Sequence, residues 1–176
     1  MGAEPGDASL AEAWRSGDRA AFAALVERFE GRLMSYLVHI SGSRAEAEDL
    51  FQETFLRVFR ERENLNPDAP FAFTLMRIAR NLAISRHRRQ TVERKDLEER
   101  ARRPKGMPED ESAGGEASAA VHRALALLPE ELREPVALRI WGGLGWREVA
   151  EVLGCSEDTA ARRFAEALKA LREDLR

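Results

Sequence analysis

The chain has 176 residues, 44% of them hydrophobic, with 28 Lys and Arg against 31 Asp and Glu and a formal net charge of −3. That length holds one ordinary domain or two small ones, and that apolar content excludes a disordered chain. No apolar run approaches the roughly 18 residues that cross a bilayer and the N-terminus carries no secretory pattern, so membrane insertion is not expected and a cytoplasmic location is.

In chain order, residues 10–15 predict a first short helix, followed by a break at Gly17 and Asp18. Residues 20–40 predict a second, with Phe22, Leu25, Val26, Phe29, Leu33 and Leu37 at helical spacing. Ser41, Gly42 and Ser43 interrupt it, and Ser43 is placed to cap a third helix over 44–62. Residues 64–69 predict a polar loop, and Pro70 suits the first turn of a fourth helix running to about residue 90. Residues 91–115 are dense in charge and contain Pro104, Gly106, Pro108, Gly114 and Gly115, which predicts a linker whose start can extend the preceding helix. Beyond it, residues 117–128 predict a fifth helix, and Pro129 opens a sixth to about residue 141. A glycine-rich turn at 142–145 leads to two last helices over 146–153 and 157–172, with Gly154 as a left-handed stop and Ser156 as an N-cap. No alternating strand pattern occurs, so the expected fold is all-α, with domains at 9–90 and 116–176 joined by the linker 91–115.

Three segments carry functional signals. On the third helix, Ala47, Leu50, Phe51, Thr54, Phe55 and Val58 form a buried stripe. Asp49, Gln52, Glu53, Leu56 and Arg60 lie on another side, with Asp49 and Glu53 one turn apart. By spacing alone this is either an ordinary solvated face or an acidic docking surface for a basic partner. On the fourth helix, Phe71, Leu75, Ile78 and Leu82 make the core stripe, while Arg77, Arg80, Asn81 and Arg88 recur elsewhere and the segment ends in a run of Arg and His. Arginines at one-turn spacing can follow phosphates and Asn can read a base edge, and Asn64 opens the polar loop just upstream. A solvated basic face is the alternative. The last two helices fit a helix-turn-helix, with Val149, Ala150, Val152 and Leu153 as the core of its first helix. Ala160, Phe164, Ala167, Leu168 and Leu171 supply that of the second. Its outward side carries Asp158, Ala161, Arg162, Ala165 and Lys169, flanked by Arg163 and Glu166.

Catalytic patterns are missing. Cys155 is the single cysteine, so no intrachain disulfide forms, and His39, His87 and His122 show no metal-ligand spacing. No phosphate loop, dinucleotide fingerprint or nucleophile elbow occurs, so neither an enzyme nor a cofactor is expected.

Three stretches taken together resemble the extracytoplasmic-function (ECF) subfamily of the sigma-70 family of bacterial RNA polymerase. They are AEDLFQETFLRVF at 47–59, RIARNLA at 77–83, and Leu128-Pro129 followed by VAEVLGCS at 149–156. The resemblance implies a sigma-two-like bundle and a sigma-four-like helix-turn-helix. It implies that Asp49, Gln52, Glu53 and Leu56 bind the clamp coiled coil of the largest polymerase subunit. It implies that Asn64, Arg77, Arg80, Asn81 and Arg88 read the minus-ten element, where a flipped base is captured. Thr159, Ala161, Arg162, Arg163 and Lys169 would read the minus-thirty-five element, with contacts to the flap of the second subunit. The linker would thread toward the RNA exit channel, and an anti-sigma factor is an expected partner. Thr74 stands where the family usually has an aromatic residue, with Phe71 and Phe73 beside it to compensate. The rival readings are a plain helix-turn-helix regulator, which leaves the third helix unexplained, and a sigma-like adaptor without promoter reading.

Overall fold

The computed structural model describes residues 5–98 and 116–174, and among these the elements are α-helices with one short 3-10 turn and no strand. In order they are α1 (Asp7–Arg15), α2 (Arg19–Ser41), α3 (Arg44–Arg60), the 3-10 turn Arg62–Asn64, α4 (Phe71–Glu98), α5 (Glu116–Leu127), α6 (Glu130–Ile140), α7 (Trp146–Leu153) and α8 (Glu157–Asp174).

The breaks follow from backbone chemistry. The Asp18 carboxylate accepts from the amides of Ala20 and Ala21 at 2.8 and 3.3 Å, starting α2. Gly42 ends that helix at φ 70°, in the left-handed region, and its amide donates to Val38 O. The Ser43 hydroxyl then accepts from the Glu46 amide at 3.4 Å, as its position predicts. Pro70 and Pro129 stand one residue ahead of α4 and α6, at the cap positions rather than inside the first turn. α3 stops at Arg60, short of the expected 62, and α4 runs to Glu98, past the expected 90. The rest of the expected linker, 99–115, lies outside the described residues, and with it the path assigned to that segment.

Helices α1 to α4 pack around Leu25, Phe29, Leu33, Leu37, Leu50, Leu75 and Met76, all with 0–1% exposure. Trp14 on α1 is locked there, its ring 5.2 Å from Phe22 and 5.9 Å from Phe71. α3 buries Ala47, Leu50, Thr54, Phe55 and Val58, and the Thr54 hydroxyl donates back to Leu50 O at 2.6 Å. α4 buries more than its expected stripe: Phe73, Thr74, Met76, Ala79 and Ala83 are also inside. A second face of α4 is therefore covered.

The cover comes partly from the C-terminal half. The apolar cluster of the first four helices continues without a break into Ala137, Leu138, Leu144, Val149, Ala150, Val152 and Ala160. A smaller cluster of Ala124, Leu125, Leu128, Val136, Ala167 and Leu171 holds α5, α6 and α8 together. Polar groups seal the junction. Arg32 on α2 donates to Trp141 O at 3.4 Å and Gly142 O at 2.5 Å, and the His39 ring lies 3.8 Å from that of Trp141. Gly143, at φ 63°, is held beneath the Arg32 guanidinium, where a Cβ would collide.

Candidate docking and nucleic-acid surfaces

α3 presents an outward face that α4 borders along one edge. Asp49, Gln52 and Leu56 are exposed and Glu53 is half-buried, while the opposite stripe is in the core. Leu56 is 48% exposed and its neighbour Phe59 44%, so two apolar side chains stand in water beside two carboxylates. Phe59 is steadied by Phe22, whose ring is 5.3 Å away. Arg86 of α4 reaches Asp49 at 3.2 Å, a partly exposed pair that balances one carboxylate. The two helices line an open polar groove of about 640 Å³ between Asp49, Glu53, Arg57, Arg86 and Arg89.

The fourth-helix candidates divide into two groups. Arg77, Asn81 and Arg88 fall within about 40° of one another around the helix, because 3.6 residues make a turn. Asn81 and Arg88 are exposed, and Arg77 is half-buried with its guanidinium 5.3 Å from the centre of the Phe73 ring. Asn64 is exposed at the end of the 3-10 turn. Arg80 lies about 60° to the other side of Arg77. Its Nε and Nη2 each donate to one oxygen of the Glu134 carboxylate at 2.9 Å, a two-pronged pair between α4 and α6.

That pair is largely out of water, with side chains 19% and 6% exposed. Burial pulls the Arg80 guanidinium down, but the hydrogen bonds and charge of Glu134 more than offset this and hold it above its ordinary value. Beside it the Tyr36 hydroxyl is fully buried and has no hydrogen-bond partner. Burial, then the Glu134 carboxylate, pushes its phenol far above its ordinary value, so it stays neutral.

The sequence singles out Arg80 but not Tyr36, Glu134 or Arg32. Only a buried carboxylate flanked by Pro135, Val136, Ala137 and Leu138 hints at Glu134, and local spacing cannot supply its partner. Phe71 and Phe73, expected beside Thr74 to supply an aromatic face, are core residues at 4% and 5% exposure. Thr74 itself is 3% exposed. None of the three reaches the surface, so the compensation expected from the sequence is corrected by packing.

In the helix-turn-helix, α7 stops at Gly154 with φ 67°, and the Ser156 hydroxyl accepts from the Thr159 amide at 3.2 Å to start α8. The Thr159 hydroxyl is itself 2.8 Å from Ser156 Oγ. Arg162 and Lys169 are exposed on the outward face, with Ala161 half-buried between them and the core. Arg162 lies 3.9 Å from Glu166, and Arg163 leans back toward Glu131 of α6 at 3.8 Å. Among the described residues no group of His, Cys, Asp or Glu is arranged to hold a metal ion, and no helix is long and apolar enough to cross a membrane.

The Sigma-70 region 2 family model matches residues 25–92, and the Sigma-70 region 4 model matches 118–171. The chain is 31% identical to the RNA polymerase sigma-H factor of Pseudomonas aeruginosa, covering 94% of this chain and 91% of that one. It is 29% identical to the ECF RNA polymerase sigma-E factor of Escherichia coli, over 94% and 92% of the two chains. Among solved structures it is similar to CnrH in complex with the cytosolic domain of CnrY, with a TM-score of 0.72 at 26% identity, over 96% of each chain. The fold also matches the sigma factor RpoE in complex with the anti-sigma factor NepR from Bartonella quintana, with a TM-score of 0.75 at 22% identity, over 88% of this chain and 96% of that one.

Proposed function

Since the chain belongs to the ECF subfamily of the sigma-70 family, and is a sigma factor that directs RNA polymerase to promoters, we propose how its surfaces divide that work. The α3 face of Asp49, Gln52, Glu53 and Leu56 docks on the clamp coiled coil of the largest polymerase subunit. Asn64, Arg77, Arg80, Asn81 and Arg88 take the minus-ten element, the arginines on phosphates and the asparagines on base edges. Thr159, Ala161, Arg162, Arg163 and Lys169 present α8 to the minus-thirty-five element, and its unit touches the flap of the second subunit. The polymerase supplies the bond-making chemistry, the protein works in the cytoplasm, and an anti-sigma factor is its natural regulator. One solved structure of this shape is described in a complex of that kind, RpoE with the anti-sigma factor NepR, and another, CnrH, is in complex with the cytosolic domain of CnrY.

The observation that carries this reading is the outward face of α3. Solvent-exposed Leu56 and Phe59 beside Asp49 and Glu53 make an apolar centre with an acidic rim, the make-up of a protein interface rather than of a solvated helix. Charge reversal tests it. Glu53→Lys is expected to weaken binding to core polymerase about tenfold, roughly 1.4 kcal/mol, in a titration with labelled protein. Unchanged affinity would remove α3 from the interface.

A further inference from the structure

The first turn of α8 carries two acids, Glu157 and Asp158, and both are exposed. At 3.6 residues per turn, Asp158 shares an arc of about 60° with Arg162, Ala165 and Lys169, whereas Glu157 stands about 100° away from it. Asp158 therefore belongs to the outward face assigned to the minus-thirty-five element, and Glu157 does not. Neither the cap nor the nearest arginine uses its carboxylate. The Ser156 hydroxyl accepts from the Thr159 amide, and Arg162, one turn on, leans toward Glu166 at 3.9 Å. Among the described residues no hydrogen bond or ion pair engages Asp158.

Its neighbours on that face are small. Ala165 is exposed and Ala161 half-buried, about 20° and about 60° to one side. Two methyl groups let the helix lie close to the groove floor, which a side chain as short as aspartate needs if it is to reach a base edge. A carboxylate there can only accept. In the major groove guanine offers acceptors alone, and thymine an acceptor and a methyl group. Adenine sets an acceptor, N7, beside its amino group, a pattern that suits an amide with one donor and one acceptor. Cytosine offers its amino group alone.

We infer that Asp158 is a base-reading residue of α8 that selects cytosine at one position of the minus-thirty-five element. The inference rests on α8 being the reader of that element. The helix dipole attracts an acid anywhere in the first turn, and Glu157 serves it equally, so only the place of Asp158 on the reading face separates the two. Set against guanine or thymine, the carboxylate meets acceptors beside a phosphate backbone, so the wrong base is repelled as well as the right one held. Arg162 lies four residues further along, about 6 Å or roughly two base-pair steps, and its fork fits guanine N7 and O6. The selected cytosine therefore falls within about two base pairs of the position that Arg162 reads.

The test uses the full chain bound to core polymerase, with transcripts sequenced from a promoter library randomised across the minus-thirty-five element. The wild type is expected to favour cytosine about tenfold at one position. Asp158→Ala is expected to lose that preference and keep the others. Asp158→Asn is expected to move it to adenine, because an amide pairs with adenine N6 and N7 together. Glu157→Ala removes the same charge from the same turn and is expected to leave the motif as it is. Asp158 is exposed, so neither of its substitutions opens the core, and circular dichroism checks that the helices persist. A motif that loses a position in Arg162→Ala but none in Asp158→Ala overturns the inference and leaves α8 as the reader. Asp158→Ala and Glu157→Ala changing transcription equally on every sequence also overturns it, since the acid then acts as charge alone. A wild type that enriches no minus-thirty-five motif overturns the α8 reading, and the inference with it.

Discussion

At the scale of single residues, exposure and pairing separate candidates that the sequence places side by side. Arg80 and Asn81 are neighbours in the motif RIARNLA, yet Asn81 is in solvent and Arg80 is bound to Glu134. Asn81, within about 40° of Arg77 around α4, is free to present its amide to a base edge. Asn81→Ala is therefore expected to alter base preference at one minus-ten position while leaving core binding unchanged. Sequencing transcripts from a promoter library checks this, and identical preferences in mutant and parent would reject the assignment. The sequence makes Asn81 legible because helical spacing fixes the face of a residue. It cannot make the Arg80 partner legible, because Glu134 lies in another element and its approach depends on how two units pack. Helical spacing already puts Phe71 in the core, where it packs against Phe29 and Trp14, but it does not tell that Phe73, off the expected stripe, is buried as well.

At the scale of elements, local rules carry most of the account. Ser43, Gly42, Gly154 and Ser156 all act at the ends where their chemistry predicts them, since caps depend on a few neighbouring amides. The third helix also matches its expected buried stripe, because one periodic face meets one core. α4 departs from its stripe because it is covered on more than one side, and periodicity reports a single buried face. The turn of the helix-turn-helix offers a clean check. Gly154 sits at φ 67°, and a Cβ there would meet nothing within 4 Å, so only backbone strain opposes a side chain. Gly154→Ala is expected to destabilise the chain by roughly 1–2 kcal/mol in chemical unfolding, with the helical content of the folded state unchanged. A neutral outcome would mean that α7 and α8 do not depend on that left-handed corner for their angle.

At the scale of the whole molecule, the charges matter by location rather than by sum. A net charge of −3 argues against a simple DNA-binding protein. The structure instead sets acids on the outward face of α3 and on the first turns of α6, and bases along α4, while α8 exposes both signs, with Glu157 and Asp158 in its first turn and Arg162 and Lys169 beyond. Two helical units were legible from the punctuation of the chain, but their close packing was not, because a charged linker is equally compatible with halves that touch and halves that do not. On the proposed division each surface takes a separate partner: polymerase on α3, single-stranded DNA on α4, duplex DNA on α8. Run-off transcription with core polymerase on a randomised promoter library tests that division as a whole. The account predicts that adding the chain enriches transcripts sharing two short motifs at a fixed spacing, one near minus ten and one near minus thirty-five. Transcripts with no enriched motif, or no stimulation of the core enzyme, would contradict it.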